Sequence, residues 1–222
     1  ESNFRPELIA PVETRPAGAA GGLLPHGLRA IRADEVWYEL GLHGEGTLVA
    51  CLDTGVARWH PALEARWRGR DGDIAASWLS VVNERSPAPY DLHRHGTHVM
   101  GTIAGLDPQS GDTLGVAFGA EWIACDALSP QAEDATFDND VLRAFQWFAD
   151  PDGDPSTHDD VPDVVQNSWG VRVADGYLPC DEHWWEAIDA CEAAGVVVTF
   201  SAGNEGPSER SLRSPADRAT SE

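Results

Sequence analysis

Three polar residues have the types and surroundings that acyl transfer requires. Asp53 ends the apolar run T-L-V-A-C-L-D, His95 opens H-G-T-H-V-M-G-T-I-A-G, and Asn204 lies within S-A-G-N-E-G-P. A carboxylate can fix the tautomer of an imidazole, the imidazole can take a proton from a nucleophile, and an amide can donate to an oxyanion. We therefore interpret Asp53 as the orienting group, His95 as the general base and Asn204 as the oxyanion donor.

The residues after His95 predict a helix that holds this histidine in place. Val99, Thr102 and Ile103 follow the i, i+3, i+4 spacing of a helix face. A histidine at the mouth of a buried helix is rigid and remains reachable, which suits a general base. Gly101 lowers the helix propensity of this segment, so we expect another element to pack closely against it.

Four apolar runs predict strands, and the amphipathic segments around them predict helices. The predicted strands are 47–52, 121–128, 162–170 and 196–201, and the predicted helices are 31–40, 138–148 and 183–195. Continuous apolar runs suit strands that are covered on both faces, and their alternation with helices indicates a parallel sheet. Because ligands bind at the carboxyl ends of parallel strands, we expect Asp53, Ser168 and Asn204 at one edge of the sheet.

The composition argues against nucleic acids and membranes as partners. The formal net charge is −22, and all 15 basic residues are arginine. An acidic surface repels phosphate groups. No apolar run approaches the ~20 residues that a membrane span requires.

The cysteines indicate neither a zinc ribbon nor a redox pair. None of the four lies in a C-x-x-C pair. Cys51 and Cys125 fall in predicted strands, so we expect buried thiols. Cys180 and Cys191 are separated mostly by a predicted helix, so we expect no disulfide between them unless the chain folds back before the helix.

Residues 1–27 predict an extended arm or linker. They contain four prolines and the sequence A-G-A-A-G-G, with no periodic apolar pattern. We expect this arm to be the junction left by an upstream pro-segment, and a single α/β domain to occupy residues 28–222. Since the first residue is Glu1, we expect a processed or trimmed chain.

Three motifs together resemble those of the subtilisin-like serine peptidases. L-D-T-G-V at 52–56, H-G-T-H-V-M-G-T-I-A-G at 95–105 and S-A-G-N-E-G-P at 201–207 are similar to the family's aspartate, histidine and oxyanion-asparagine motifs, in the family's order. W-I-A-C-D-A-L and P-D-V-V-Q-N-S-W-G resemble the bacillopeptidase F-like branch. The resemblance runs from about Leu28 to the end, and it implies a three-layer α/β fold with a mostly parallel central sheet.

The same resemblance implies a secreted serine endopeptidase that needs no cofactor and acts on proteins or peptides. Ser168, Trp169 and Gly170 would form a backbone rail on which the substrate lies as an added strand. Ala202 and Gly203 would form a wall of the primary specificity pocket. Among the tryptophans, Trp169 is the one that we expect to touch the substrate.

The family's nucleophile motif is absent from these residues. Its serine stands in a G-T-S-M-A-like motif, whereas the only methionine here is Met100. We expect a fold truncated at its C-terminus, a missing segment that carries the serine, and no peptidase activity from the 222 residues alone. The alternative is a non-catalytic peptide-binding pseudopeptidase or a truncated gene product.

Other chemistries fit the same motifs less well. His93, His95 and His98 have the spacing of metal ligands, but nearby residues do not complete a set. We expect no metal there, with His98 packed and hydrogen-bonded and His93 solvated. D-T-G is also the aspartic-peptidase signature, but that mechanism needs a second carboxylate in an equivalent loop, and no second D-T-G exists.

An acidic loop leaves a calcium site open. Asp150, Asp152 and Asp154 lie in A-D-P-D-G-D-P-S, and clustered carboxylates are calcium ligands. The prolines and the absence of a bidentate glutamate depart from a helix-loop-helix calcium loop. A solvated loop is the preferred interpretation, and calcium is the alternative.

Overall fold

The structure is a computed structural model that describes residues 7–8, 24–82, 86–128, 136–209 and 211–218. The helices are α1 (His26–Ala30), α2 (Ala33–Leu40), α3 (His95–Ala104), α4 (Phe137–Ala149) and α5 (Trp185–Ala193). The strands are β1 (Glu7–Leu8), β2 (Leu48–Asp53), β3 (Trp78–Ser80), β4 (Glu121–Asp126), β5 (Val164–Asn167), β6 (Trp169–Gly170) and β7 (Val197–Phe200).

Five strands form a parallel sheet in the order β3-β4-β2-β5-β7. Strand β2 lies at the centre, and all six of its residues are buried. From β2 the chain passes through the edge strand β3 to β4 on one side, and later to β5 on the other side. Asp53, the last residue of β2, therefore lies at a topological switch point, where open parallel sheets place their ligand crevices.

The side chains of β2 alternate between two cores on opposite faces of the sheet. Leu48, Ala50 and Leu52 pack in the core that contains α4 and α5. Val49 and Cys51 pack in the core that contains the buried face of α3. Helices thus cover both faces, and the fold is the predicted three-layer α/β arrangement.

The predicted helix after His95 is α3, but its close packing lies at the first turn and not at Gly101. A Cβ atom on Gly101 would meet no atom within 4 Å, so that expectation is wrong. A Cβ atom on Gly96 would lie 2.1 Å from the carbonyl oxygen of Gly55 and 3.0 Å from Asp53 Cβ. Glycine is therefore required where α3 begins, directly against the end of β2.

The predicted strand 162–170 is interrupted at Ser168. Strand β5 belongs to the parallel sheet, whereas β6 pairs antiparallel with β1 in a separate two-stranded sheet. The indole nitrogen of Trp169 donates to Asn167 Oδ1 at 3.1 Å, and its ring enters the core beside α4. A continuous apolar pattern does not reveal such a break, and the three residues of β3 are too short a run to predict.

The remaining fold expectations have mixed outcomes. The four cysteines are free, and Cys51 and Cys125 are buried, as predicted. Most of the predicted arm lies outside the described residues, although β1 and the start of α1 fall within 1–27. Among the described helices, none has the length and apolar character needed to cross a bilayer.

Asp126 ends β4 directly beside Asp53 in the sheet register. Its side chain is buried and accepts a hydrogen bond from Ser80 Oγ at 3.2 Å. Burial raises the pKa of Asp126 to about 7, although hydrogen bonds from Tyr90 and Ser80 act in the opposite direction. The carboxyl end of the sheet therefore contains two buried aspartates next to each other.

Alanine at two positions of α3 tests where the helix is closely packed. Gly96→Ala should lower the free energy of unfolding by about 1–3 kcal/mol, because the new Cβ meets rigid backbone. Gly101→Ala should raise it by about 0.5–1 kcal/mol, because the position is open and alanine favours helix. Urea denaturation measures both, and equal effects of the two substitutions would contradict the packing described.

Asp126→Asn tests the raised pKa. The native state keeps a proton that the unfolded chain releases, so the contribution of Asp126 to stability falls as the pH rises from about 4 to about 7, by about 4 kcal/mol in all. Over this pH range, the free energy of unfolding of Asp126→Asn, measured relative to the wild type by urea denaturation, should therefore rise by this amount. A difference that is constant across this pH range would refute the assignment.

Candidate active site

Asp53 and His95 form a short, buried hydrogen bond. His95 Nδ1 lies 2.6 Å from Asp53 Oδ1, with His95 8% exposed and Asp53 fully buried. Asp53 Oδ1 accepts a hydrogen bond from Nδ1–H, which favours the tautomer in which Nε2 carries no proton. The predicted orienting group and the predicted base are therefore in contact.

Because Asp53 is buried, its charged form depends on the hydrogen bond with His95. Burial raises the pKa of Asp53, whereas the hydrogen bonds from His95 and from the Thr54 backbone N–H lower it. The Thr54 N–H donates to the same oxygen, Oδ1, at 2.7 Å. The other oxygen, Oδ2, is buried and has no hydrogen-bond partner among the described residues. Loss of His95 would thus leave a buried carboxylate with a single backbone donor.

Asp91 holds the entry to α3, a role that the sequence interpretation missed. Its Oδ1 accepts from the backbone N–H groups of His93 and Arg94 at 2.9 and 2.8 Å. Its Oδ2 accepts from the N–H and the hydroxyl of Thr97 at 2.9 and 2.6 Å. An aspartate suits the unpaired N–H groups of a helix start. The only signal in the sequence is an aspartate four residues before the helix.

Thr54 connects this entry to the end of β2. Its hydroxyl donates to Asp91 Oδ1 at 3.0 Å and accepts from the Gly96 N–H at 3.0 Å. The turn after β2 depends on glycine, since Gly55 has φ +92° and a Cβ there would lie 2.1 Å from the carbonyl oxygen of Tyr90. One network therefore fixes both partners of the Asp53–His95 hydrogen bond.

His95, Ser168 and Asn204 line one cavity of about 570 Å³. Three of the predicted site residues, from three parts of the chain, are therefore brought together. Ser168 is buried and accepts from Gln166 Nε2 at 3.1 Å, whereas Asn204 is exposed and its backbone N–H donates to a Glu205 carboxylate oxygen at 3.0 Å.

The other two histidines of the motif do not behave alike. His98 lines the same cavity but is exposed, because it lies on the open side of α3. The expectation of a packed His98 is therefore wrong. His93 is partly buried, with its backbone N–H on Asp91.

Trp169 contributes its backbone and not its side chain to this region. The ring is fully buried, and its centroid lies 5.4–5.8 Å from those of Phe137, Trp184 and Phe200. The expectation that this tryptophan touches a substrate is therefore wrong for the ring. The backbone of Trp169 and Gly170 pairs antiparallel with β1, so this edge accepts an extended segment.

Ala202 and Gly203 lie in the loop that leads to Asn204. Gly203 has φ +93°, and a Cβ there would lie 2.6 Å from a carboxylate oxygen of Glu205. Glu205 in turn forms an ion pair with the buried side chain of Arg213. The loop that carries Asn204 is thus shaped by a charge pair that the sequence interpretation did not identify.

In the described part of the chain, one group of side chains has three ligand atoms close enough for a metal ion. It consists of Asp150, Asp152 and Asp160, not of the histidines around His95. The carboxylate of Asp154 instead accepts from the N–H and the hydroxyl of Ser156, at 3.0 and 2.6 Å.

Comparison with known proteins shows the family to which the chain is similar. The family model described as the Subtilase family matches residues 44–221. The chain is 40% identical over 182 residues to bacillopeptidase F of Bacillus subtilis (strain 168). This alignment covers 78% of this chain and 12% of that protein. It is 30% identical over 175 residues to serine protease AprX of the same organism, covering 78% of this chain and 36% of that protein.

A third relative, subtilisin DY of Bacillus licheniformis, is 30% identical over 185 residues. The match covers 83% of this chain and 57% of that protein, so the chain spans between 12% and 57% of the length of these three relatives. Residues 44–221, which the family model matches, include the Asp53–His95 pair, the Ser168–Gly170 edge and the Asn204 loop. The chain belongs to the subtilase family.

Proposed function

We propose that these residues form the part of a serine endopeptidase that activates the nucleophile and stabilises the oxyanion. The observation that carries the proposal is the buried 2.6 Å contact between His95 Nδ1 and Asp53 Oδ1 beside a cavity shared with Asn204. His95 Nε2 takes the proton of the attacking hydroxyl, and Asp53 stabilises the imidazolium that forms. The Asn204 side-chain amide donates to the oxyanion of the tetrahedral intermediate.

The nucleophile itself is proposed to lie on a segment outside these 222 residues. No G-T-S-M-A-like motif occurs in them. The cavity beside His95 supports this proposal, because apolar side chains from α3 and from two strands line it: Val49, Val99, Ile103 and Val164. A helix that carried the serine would cover this apolar surface and bring the hydroxyl towards His95.

The substrate is proposed to be a polypeptide that binds as a strand along Ser168–Gly170. Support comes from β1, which already pairs antiparallel with this edge in the register Glu7 to Gly170 and Leu8 to Trp169. Main-chain hydrogen bonds of this kind bind extended peptides largely independently of sequence. Ala202 and Gly203 remain the proposed wall of the specificity pocket.

A second candidate function is peptide binding without catalysis. The β1–β6 pairing favours it as well, since strand addition requires no serine. A serine-directed phosphonate probe distinguishes the two functions, because it labels only a protein in which a hydroxyl lies against His95.

Secretion is proposed on the basis of the family resemblance alone. The measurement is the distribution of the protein between culture medium and cell fractions of its source organism. Recovery only from the cytoplasmic fraction would exclude this proposal.

The catalytic roles predict a graded loss of activity. The 222-residue polypeptide alone should not digest casein. In a protein that also carries the nucleophile segment, His95→Ala should lower kcat by about 10⁶, and Asn204→Ala by about 10²–10³. His26→Ala, an exposed histidine on α1, is the matched control and should leave kcat unchanged. Inhibitor-sensitive casein digestion by the purified 222 residues would show that the nucleophile lies within them.

The occupied edge predicts competition between the N-terminal residues and a peptide. Deletion of residues 1–10 should tighten the binding of a fluorescent extended peptide about tenfold, because the edge no longer has to be vacated. Deletion of residues 1–6 leaves β1 in place and is the matched control. Fluorescence anisotropy measures both affinities, and equal binding by the two deletions would argue against a shared edge.

A further inference from the structure

The loop between α4 and β5 gathers three carboxylates that the proposed catalysis does not use. Oxygen atoms from Asp150, Asp152 and Asp160 all lie within 4.8 Å of one another. We propose that these three residues bind a calcium ion. The proposal is independent of the proposed peptidase function.

The burial of Asp160 distinguishes this cluster from an ordinary solvated acidic loop. Asp160 is only 3% exposed. Oδ2 accepts the backbone N–H of Asp152 at 2.8 Å, but Oδ1 is buried and has no hydrogen-bond partner in the described part of the chain. A buried carboxylate oxygen without a partner is costly, and a cation among the three carboxylates would supply one.

The charges around the cluster also favour a cation. Within the described ranges, none of the three carboxylates forms an ion pair, and the neighbouring Arg68 is bound to Asp159 at 2.7 Å. Helix α4 ends at Ala149, directly before the cluster. The carbonyl end of a helix carries partial negative charge, which adds to the repulsion among the carboxylates.

The geometry also changes the ligand set that the sequence suggested. Asp154 is turned to Ser156, and its place is taken by Asp160, which approaches from later in the loop. The two oxygens of Asp152 accept from the Asp154 N–H at 2.7 Å and from the Thr157 hydroxyl at 2.9 Å. Each of these oxygens retains a second lone pair, so the bonds orient Asp152 without preventing it from binding a cation.

The donor types indicate calcium and not another common ion. The group contains carboxylate oxygens and no histidine or cysteine, which disfavours zinc and copper. Calcium accepts 6–8 oxygens in flexible geometry, so water and loop carbonyls can complete the shell, whereas magnesium requires a tight octahedron and retains its water. A bound ion would tie the end of α4 to the chain that enters β5 and leads to Ser168.

Terbium luminescence tests the site directly. Tb³⁺ replaces calcium at oxygen sites and is sensitised by nearby tryptophan, and the Trp147 indole donates to the carbonyl of Pro151 beside the cluster at 3.1 Å. The full 222-residue chain should bind Tb³⁺, and added CaCl₂ should displace it. Calcium at about 100 times its dissociation constant should raise the melting temperature by on the order of 5 °C, and MgCl₂ at the same concentration should have a smaller effect.

Three single substitutions with the same change of charge assign the ligands. Asp160→Asn and Asp152→Asn should each weaken calcium binding more than about tenfold. Asp159→Asn, one residue away and on Arg68, should leave it unchanged. If the buried Asp160→Asn variant does not fold cooperatively, the exposed Asp152 decides the test.

Several results would overturn the proposal. They are the absence of calcium-dependent luminescence and stabilisation in the wild type, equal stabilisation by magnesium, and equal losses in Asp152→Asn and Asp159→Asn. Loss of binding on Asp154→Asn but not on Asp160→Asn would show that the ligand set is wrong.

Discussion

The hydrogen bond between Asp53 and His95 is the interaction on which the rest of the site depends. A carboxylate with no exposed surface is unfavourable unless it is partnered, and here one oxygen takes both available donors. The fold supplies this partnership through Gly96, because no Cβ lies between the start of α3 and the Gly55 carbonyl that follows β2. Close backbone approach, not side-chain packing, therefore sets the geometry of the pair.

The surrounding polar network explains why the arrangement is rigid. Thr54 and Asp91 link the turn after β2 to the first turn of α3 through buried or partly buried hydrogen bonds. Asp53 and His95 are thereby held in fixed positions, and the hydrogen bond between them sets the tautomer of the imidazole without movement of either residue. The Asn204 loop is held separately by the Glu205–Arg213 ion pair, so the two halves of the cavity are supported by different interactions.

The sequence predicted the central strands, the main helices and the Asp53–His95 contact, because long apolar periods and motif order are local signals. It did not predict the break at Ser168, because the reason for it is tertiary: the ring of Trp169 is drawn into an aromatic core. The contacts of Asp91 and Asp160 were not predicted, for a similar reason. Only the fold brings Thr54 to Asp91 and buries Asp160 beside Asp152, and a single aspartate in a loop carries no pattern of its own.

The alternation of β2 has a consequence for how this domain can vary in evolution. Residues 48, 50 and 52 face one core and 49 and 51 face the other. The number of residues in β2 therefore determines which face Asp53 points to. Inserting or deleting one residue would exchange the two faces and rotate the carboxylate away from α3. Changes in chain length should therefore be confined to the connections between strands and helices, such as the stretch from α4 to β5.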